Sequence, residues 1–259
     1  MNDEVKNVWN MNAEFWDARM GEGNDFHRIL IEPTQLKLLN IHSGQKILDV
    51  ACGNGQFARK MAQLGAVVTA IDFSQKFLDI AKSKGTNRVN YELVDVTSER
   101  DLARFDGKAF DSVVCTMALM DIENIELLAK HLPRILGKNG IFVFSVLHPC
   151  FNSGETMLVH ERDDAAGEVE NKYSVKISNY LVEKSSLGIG MIGQPKPQYY
   201  FHRPISIILK YFFENGFALD ACEEPSFDCL EKADGIFENV YTHVPPALVC
   251  RLRIADFAL

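Results

Sequence analysis

The stretch that decides the fold runs from Ile47 to Ala58 and reads ILDVACGNGQFA. It begins with an apolar run that contains one acid, as expected for a buried parallel strand. Gly53 and Gly55 follow, and they permit a tight turn and a close approach of the backbone to a ligand. Helical spacing resumes at Phe57. A strand, a bare turn and a helix N-terminus in this order predict a ligand cradle.

Asp49 lies at the mouth of this turn and indicates the charge of the ligand. A carboxylate there would repel the pyrophosphate of a dinucleotide, whereas it would attract an ammonium or another cationic group. Dinucleotide sites usually carry an apolar residue at this position. We therefore expect Asp49 to bind a positively charged part of the ligand.

The composition limits the partners of the protein. The chain has 259 residues, enough for one large α/β domain, and a formal net charge of −8. This acidic total argues against nucleic acid as a partner. The N-terminus, MNDEVKNVWN, is polar and acidic, unlike a signal peptide, and no apolar run approaches the roughly 20 residues that span a bilayer. The sequence predicts a cytoplasmic protein without a membrane partner and leaves its oligomeric state open.

The cysteines give no indication of a metal site. They show neither a C-x-x-C pair nor a histidine at zinc-ligand spacing. We expect most of them to be buried thiols of an intracellular protein. The six are Cys52, Cys115, Cys150, Cys222, Cys229 and Cys250.

Strand and helix patterns alternate from Lys46 onward. Strand patterns occupy 46–50, 66–71, 89–94, 110–116 and 141–146, and helix patterns occupy 56–64, 74–84, 98–105 and 123–136. Five such units predict a doubly wound parallel sheet with helices on both faces. A further helix over 204–215 and strands at 217–222 and 247–254 follow, with a long acidic loop between the two strands.

Two segments flank this alternation. We expect residues 1–43 to form a helical segment before the core, called the lead-in. It should contain one or two amphipathic helices over 4–20, a helix capped by Asp25 and another turn of helix that begins at Pro33. Both tryptophans lie there, so the lead-in forms a lid or simply packs on the sheet. Residues 149–203 fit neither period. We expect an insertion over the strand ends, and a disordered loop is the alternative.

The glycine turn resembles the first motif of class I S-adenosylmethionine-dependent methyltransferases. In that family an acid-led turn holds the methionine end of the cofactor, in the pattern acid-x-Gly-x-Gly-x-Gly. Ala51 stands at the first glycine position here, so only Gly53 and Gly55 of the three remain. We expect the turn to form unless it needs positive φ at Ala51. In this family an antiparallel hairpin ends the core, and the tail from residue 204 is similar.

The resemblance implies cofactor contacts at successive strand ends. Asp72 ends the second strand, where a doubly wound fold binds ribose hydroxyls, and Asp95 ends the third, near the adenine amino group. Phe73 is expected to lie against the adenine face, and a phenylalanine that simply packs in the core is an equally good interpretation. For Asp95, the alternative is an aspartate in a surface turn. The full set of predicted cofactor-binding residues is Asp49, Ala51, Cys52, Gly53, Asn54, Gly55, Asp72, Phe73, Asp95, Val96, Thr116 and Met117.

The acceptor is expected to be a small molecule. The Asn/Asp-Pro-Pro-aromatic turn of nucleic-acid amino-methyltransferases is absent after the fourth strand. The stretches GEGNDFHR, ALMDI, SVLHPCF and YFHRPIS resemble bacterial small-molecule members of undefined substrate. His148 or His202 is expected to act as a base, with a structural histidine as the alternative for each. Expected substrate-binding residues are Phe26, His27, Tyr199, Tyr200 and Arg203, although Arg203 has alternative acidic partners in the insertion.

These observations lead to one prediction. The fold is α/β, a Rossmann-like doubly wound sheet of seven strands, mostly parallel with an antiparallel last strand. The chain divides into a lead-in (1–43), a cofactor-binding core (44–148), an insertion over the acceptor site (149–203) and the end of the core sheet (204–259). The protein transfers a methyl group from S-adenosylmethionine to a small-molecule O, N or S atom. The alternatives are a nicotinamide-dependent oxidoreductase and a non-catalytic S-adenosylmethionine-binding regulatory module.

Overall fold

A computed structural model describes residues 2–85, 88–164, 167–227 and 239–255. The helices are α1 (Asn2–Met20), α2 (Glu32–Leu39), α3 (Gln56–Gln63), α4 (Gln75–Ser83), α5 (Glu99–Leu102), α6 (Glu126–Ile135) and α7 (Ile205–Phe213). A π-helix covers Phe26–Ile31, and 3-10 turns cover Ala103–Phe105 and Leu119–Asp121. The strands are β1 (Lys46–Val50), β2 (Val67–Asp72), β3 (Val89–Leu93), β4 (Phe110–Thr116), β5 (Leu136–Leu147), β6 (Thr156–Asp163), β7 (Glu170–Ile177), β8 (Lys184–Gly188), β9 (Gln198–His202), β10 (Phe217–Glu223) and β11 (Ala247–Ile254).

Seven of these strands form the central sheet, in the order β10-β11-β5-β4-β1-β2-β3. The pairs from β5 to β3 are parallel, and β11 is antiparallel to both of its neighbours. The predicted doubly wound sheet with an antiparallel last strand is confirmed. The chain reverses its winding direction at β1, so a crevice opens at the carboxyl ends of β1 and β4, where this fold binds ligands.

Side-chain alternation along the central strands builds a core on each face of the sheet. On β5, Phe142 and Phe144 belong to the core beneath α5, α6 and α7, whereas Ile141 and Val143 belong to the core beneath α2 and α3. Successive residues of a strand point to opposite faces, so a strand buried on both sides needs a continuous apolar run. This requirement explains why the central strands lack the polar alternation of a half-exposed strand.

The lead-in is fastened to the glycine turn. Residues 2–20 form the single helix α1, where the sequence left one or two helices open. The predicted cap at Asp25 is wrong: Asp25 makes no capping bond, and Asn24 Oδ1 instead accepts from the His27 N–H at 2.9 Å. Asn54 of the glycine turn donates to Asp17 Oδ1 of α1 at 2.8 Å. The lead-in thus lies over the carboxyl ends of the strands.

Within the described residues of 149–203, β6 pairs with β7 and β8 pairs with β9, each pair antiparallel. The loop before β9 is held by α1, because Asn12 Nδ2 donates to Lys196 O at 2.8 Å and Asn12 Oδ1 accepts from Lys196 N at 3.0 Å. The hairpins and the lead-in therefore form one roof. The division of the chain into four parts stays a prediction, and residues 228–238 of the acidic loop after β10 lie outside the described residues.

Candidate active site

The glycine turn after β1 contains three residues in the left-handed region: Ala51 (φ 55°), Gly53 (φ 54°) and Gly55 (φ 72°). The turn thus does need positive φ at Ala51, and the alanine adopts it at a cost of about 1 kcal/mol. A side chain at Gly55 would meet Cε1 of Tyr91 at 2.9 Å, so packing as well as backbone geometry requires glycine there. The turn is formed despite the missing glycine.

Asp49 is buried without a partner for one of its oxygens. Its side chain points away from solvent, with the residue 1% exposed, and Oδ2 has no hydrogen bond. Burial, together with the negative charge of Asp72, raises the pKa of the Asp49 carboxyl to about 8. A buried carboxylate without a partner is costly, so this geometry calls for a cationic ligand group.

Asp72, at the end of β2, is held by the backbone of two loops. Its Oδ2 accepts from the Gly53 N–H at 2.9 Å, and its Oδ1 accepts from the Ser74 N–H at 2.8 Å. Burial raises the pKa of Asp72 to about 6, against these hydrogen bonds, which lower it. The carboxylate therefore has a fixed orientation at the strand end.

A large cavity lies over these groups, with a volume of about 870 Å³. Its floor includes Asp49, Thr116 and the glycine turn, and its roof includes both tryptophans of α1 and residues of the β8–β9 hairpin. A smaller pocket of about 40 Å³ adjoins it and is lined by Ala51, Asp72, Phe73, Asp95 and Val96, among others. The cavity occupies the crevice where the winding of the sheet reverses.

Comparisons with known proteins agree with this geometry. Residues 48–144 match a family model described as a methyltransferase domain. The chain is 27% identical to an uncharacterized protein of Haemophilus influenzae over 235 residues, 88% of each chain. It is 26% identical over 147 residues to a ubiquinone biosynthesis O-methyltransferase of Coxiella burnetii, covering 54% of this chain and 60% of that protein. An S-adenosylmethionine dependent methyltransferase from Mesorhizobium loti has a similar fold, with a TM-score of 0.66 and 24% identity over 85% of this chain and 96% of that one.

Residues 48–144 thus match a methyltransferase domain, and the sheet that contains them has the fold of S-adenosylmethionine-dependent methyltransferases. The family model covers β1 through β5 in large part, which are the strands that carry the glycine turn and the acidic strand ends. The roof over the cavity lies outside the matched residues.

Most predicted site residues of the methyltransferase line the two pockets. The large cavity contacts Asp49, Ala51, Cys52, Gly53, Asn54, Asp72, Phe73, Thr116, Met117, Phe26, His27, Tyr200, His202 and Arg203. Asp95 and Val96 line the small pocket, where Asp95 accepts hydrogen bonds from Thr97 N at 2.9 Å and from Asn2 Nδ2 at 2.6 Å. Gly55, His148 and Tyr199 are not among the residues that line either pocket.

The ring of His148 is fully engaged beside the cavity. Its Nδ1 accepts from the Cys150 N–H at 3.2 Å, so in the neutral ring Nε2 carries the proton and donates to Glu224 Oε1 at 2.9 Å. Burial lowers the pKa of His148, although Glu224 opposes this. A neutral ring with both nitrogens engaged has no free lone pair for an acceptor proton.

His202 lines the cavity and has a defined tautomer. Its Nε2 donates to the backbone carbonyl of Tyr180 at 2.8 Å, which leaves the lone pair of the neutral ring on Nδ1. The side chain is buried at the end of β9. Of the two histidines predicted as bases, His202 is the one that lines the cavity, and Nδ1 of its ring has no hydrogen bond to the described residues.

Arg203 is occupied with backbone carbonyls. Its guanidinium donates to Glu123 O at 2.6 Å, Ile122 O at 2.9 Å and Leu119 O at 3.3 Å, and more weakly to Phe201 O at 3.4 Å. Burial lowers the pKa of Arg203, whereas Glu183 of the insertion acts on the guanidinium through its charge and raises it. Arg203 instead fixes the loop that follows β4.

Tyr199 and His27, two residues predicted to bind the acceptor, have other interactions in the structure. Tyr199 bonds to Glu4 of α1, which raises its pKa, and so it joins the roof together rather than facing the cavity. His27 lines the cavity, but burial lowers its pKa against the opposing effect of Glu32. It is therefore uncharged near neutral pH.

Asp121 is a cavity residue that the sequence analysis did not select. It ends the 3-10 turn after β4 and lines both pockets. Gln198 Nε2 approaches its Oδ1 at 3.4 Å, and burial raises its pKa well above the usual range. The ALMDI stretch contained this residue, but spacing alone did not show that the carboxyl faces the cavity.

The described residues contain no group of three or more His, Cys, Asp or Glu side chains placed to hold a metal ion. The five cysteines within them, Cys52, Cys115, Cys150, Cys222 and Cys250, are free thiols, and Cys229 lies outside the described part. No helix in that part of the chain is long and apolar enough to cross a membrane.

Proposed function

We propose that this methyltransferase transfers the methyl group of S-adenosylmethionine to an O, N or S atom of a small molecule. The observation that carries the proposal is the unpaired, buried Asp49 oxygen beside a bare glycine turn, at the floor of a large cavity. A site with these properties favours a positively charged ligand that lies close to the backbone.

The residues at the strand ends fit such a cofactor. S-adenosylmethionine supplies an electrophilic methyl group on a positively charged sulfur. Asp49 would bind the cationic amino-acid end, and Asp72 would bind the ribose hydroxyls with an orientation that Gly53 and Ser74 already fix. Phe73 and Asp95, which line the small pocket, would hold the adenine.

The cavity itself would supply much of the rate enhancement. Methyl transfer is an in-line displacement, so alignment of the reactants and exclusion of water dominate. Within this roof, α1 is bonded to the glycine turn through Asp17 and Asn54. It is also bonded to the loop before β9 through Asn12 and Lys196. Its apolar side chains, with Trp9 and Trp16 among them, would keep water from the acceptor.

His202 would take a proton from an acceptor that arrives protonated. The Tyr180 carbonyl holds the proton of the neutral ring on Nε2, so Nδ1 is the atom that accepts. A neutral imidazole with a free ring nitrogen suits general base catalysis of transfer to a hydroxyl or an amine.

The proposal is tested by incubating the purified protein with S-adenosylmethionine and a panel of small phenols, carboxylic acids, amines and thiols. Formation of S-adenosylhomocysteine that depends on one acceptor class is the expected result. Binding of NADH without binding of S-adenosylmethionine would show an oxidoreductase instead. Tight cofactor binding with no transfer to any acceptor would favour a regulatory module.

The role of His202 is tested with His202→Gln. We expect turnover to fall by about 10²- to 10⁴-fold while S-adenosylhomocysteine affinity is retained. His160→Gln, on the exposed part of the insertion, is the matched control. A comparable loss in His148→Gln, with none in His202→Gln, would assign the base to His148.

A further inference from the structure

We infer that Asp121 is the polar anchor of the acceptor cavity and that the acceptor carries a basic amino group. This inference rests on the proposed function and narrows its substrate class. The observation behind it is a partly buried carboxyl that lines the cavity and has no cation paired with it among the described residues.

The fold presents Asp121 to the cavity at a fixed position. Arg203 donates to the carbonyl of Leu119, which begins the 3-10 turn that ends at Asp121. It also donates to the carbonyls of Ile122 and Glu123, which follow that turn. The backbone N–H of Asp121 itself donates to Ala118 O at 2.8 Å. These hydrogen bonds hold the backbone on both sides of Asp121, and Asp121 itself lines both pockets.

The charge of Asp121 has no counterpart in the described part of the chain. Its one polar contact is the long bond from Gln198 Nε2, at 3.4 Å. Burial raises its pKa well above the usual range, only partly offset by Gln198, because nothing positive stabilises the carboxylate. An ammonium group would provide the missing partner.

The other charged groups around the cavity do not change this balance. Lys184 is paired with Glu155, and the Arg203 guanidinium is bonded to backbone carbonyls. His27 is kept neutral by burial. The cationic side chains that line the cavity are thus either paired with an acid or bonded to backbone carbonyls.

Aromatic side chains complete a surface that suits a cation. Tyr200 lines the cavity, and burial together with Asp121 raises the pKa of its hydroxyl, which therefore stays protonated. Trp16 and Phe201 line the same cavity. Aromatic faces around a carboxyl are the surroundings in which proteins bind amines, since a ring face attracts a positive charge.

The test measures binding rather than turnover. Protein saturated with S-adenosylhomocysteine is titrated by calorimetry with benzylamine, 2-phenylethylamine and cyclohexylmethylamine, and with the corresponding alcohols. We expect at least one amine to bind more tightly than its alcohol. Asp121→Asn, which keeps the shape of the side chain, should weaken that amine by about 10- to 100-fold and leave the alcohol unchanged.

Two controls separate this inference from other roles of Asp121. Glu126→Gln changes an exposed acid on α6 and should leave amine binding unchanged. Tyr200→Phe should weaken the amine less than Asp121→Asn does. A greater loss of S-adenosylmethionine than of S-adenosylhomocysteine affinity in Asp121→Asn, with amine binding intact, would mean that Asp121 faces the cofactor sulfur and would overturn the inference.

The inference is also wrong if no amine of the panel binds more tightly than its alcohol, or if Asp121→Asn binds the amine as the wild-type protein does. Failure of this kind is distinct from failure of the proposed function. S-adenosylhomocysteine binding together with methyl transfer to a phenol or thiol would preserve the function while excluding the amino-group acceptor.

Discussion

Asp49 and Asp72 end adjacent parallel strands as two buried carboxyls, and the charge of Asp72 adds to burial in raising the pKa of Asp49 to about 8. Two like charges at one sheet edge are unfavourable in the protein alone. They become favourable when a ligand supplies a positive group and hydroxyl donors. The site thus lowers the stability of the ligand-free protein in return for binding.

Asp49→Asn should therefore stabilise the ligand-free protein. The folded-state pKa lies above the unfolded value near 3.8, so the folded state keeps its proton longer and wild-type stability falls as the pH rises from about 4 to 8. Removing the charge should raise the free energy of unfolding at pH 7 by on the order of 2 kcal/mol, or the Tm by roughly 5 °C. Differential scanning calorimetry at pH 5 and pH 7 checks this. A lower Tm in the variant at pH 7 would contradict it.

Cofactor binding should release a proton from Asp49 at neutral pH. Below pH 8 the carboxyl is largely protonated in the free protein, whereas the bound cation favours the charged form. Affinity for S-adenosylhomocysteine should rise by up to about tenfold per pH unit between pH 6 and 8. Calorimetry in buffers of different ionisation enthalpy measures the released proton. An equal proton release by Asp49→Asn would assign it to another group.

Gly55→Ala should be much more harmful than Gly53→Ala. Both glycines have positive φ, but an added Cβ at Gly55 would lie 2.9 Å from Tyr91 Cε1 and 3.0 Å from Ala81 Cβ, whereas at Gly53 it meets nothing within 4 Å. Chemical denaturation should show a loss of about 1 kcal/mol for Gly53→Ala and about 2–4 kcal/mol for Gly55→Ala. Equal losses would mean that backbone strain alone determines the choice of glycine.

Arg203→Met should destabilise the fold. The substitution leaves the carbonyls of Leu119, Ile122 and Glu123 without their buried donor, at a cost of about 2–4 kcal/mol. Arg104→Met, which removes a surface ion pair with Glu92, is the control and should cost less than about 1 kcal/mol. Unchanged stability with weaker acceptor binding would instead return Arg203 to the role of a carboxylate ligand.

The sequence predicted the parts of the fold that depend on local pattern. The strands of the core are continuous apolar runs because both sheet faces are covered, as Phe142 and Val143 show on neighbouring positions of β5. Gly53 and Gly55 could be recognised in the sequence because few other residues adopt positive φ readily. Periodicity did not show where α1 ends, nor that Asn24 rather than Asp25 accepts the hydrogen bond from the His27 N–H.

The acceptor side was less predictable because it is assembled from distant segments. Tertiary packing brings Asp121 and Tyr200 to one cavity, and the sequence analysis had selected Tyr200 but not Asp121. His148 follows β5 and His202 ends β9, and it is their hydrogen bonds and their position relative to the cavity that distinguish them. Spacing in the sequence indicates which strand end a residue occupies, but not what its side chain contacts.

The most direct test of the account is calorimetric titration of the wild-type protein and Asp49→Asn with S-adenosylhomocysteine at pH 8. The wild-type protein should bind, and the variant should bind at least about 10- to 100-fold more weakly although it is folded and more stable, because it lacks the charge that pairs with the cationic end of the ligand. Equal affinity of the two proteins would contradict the account.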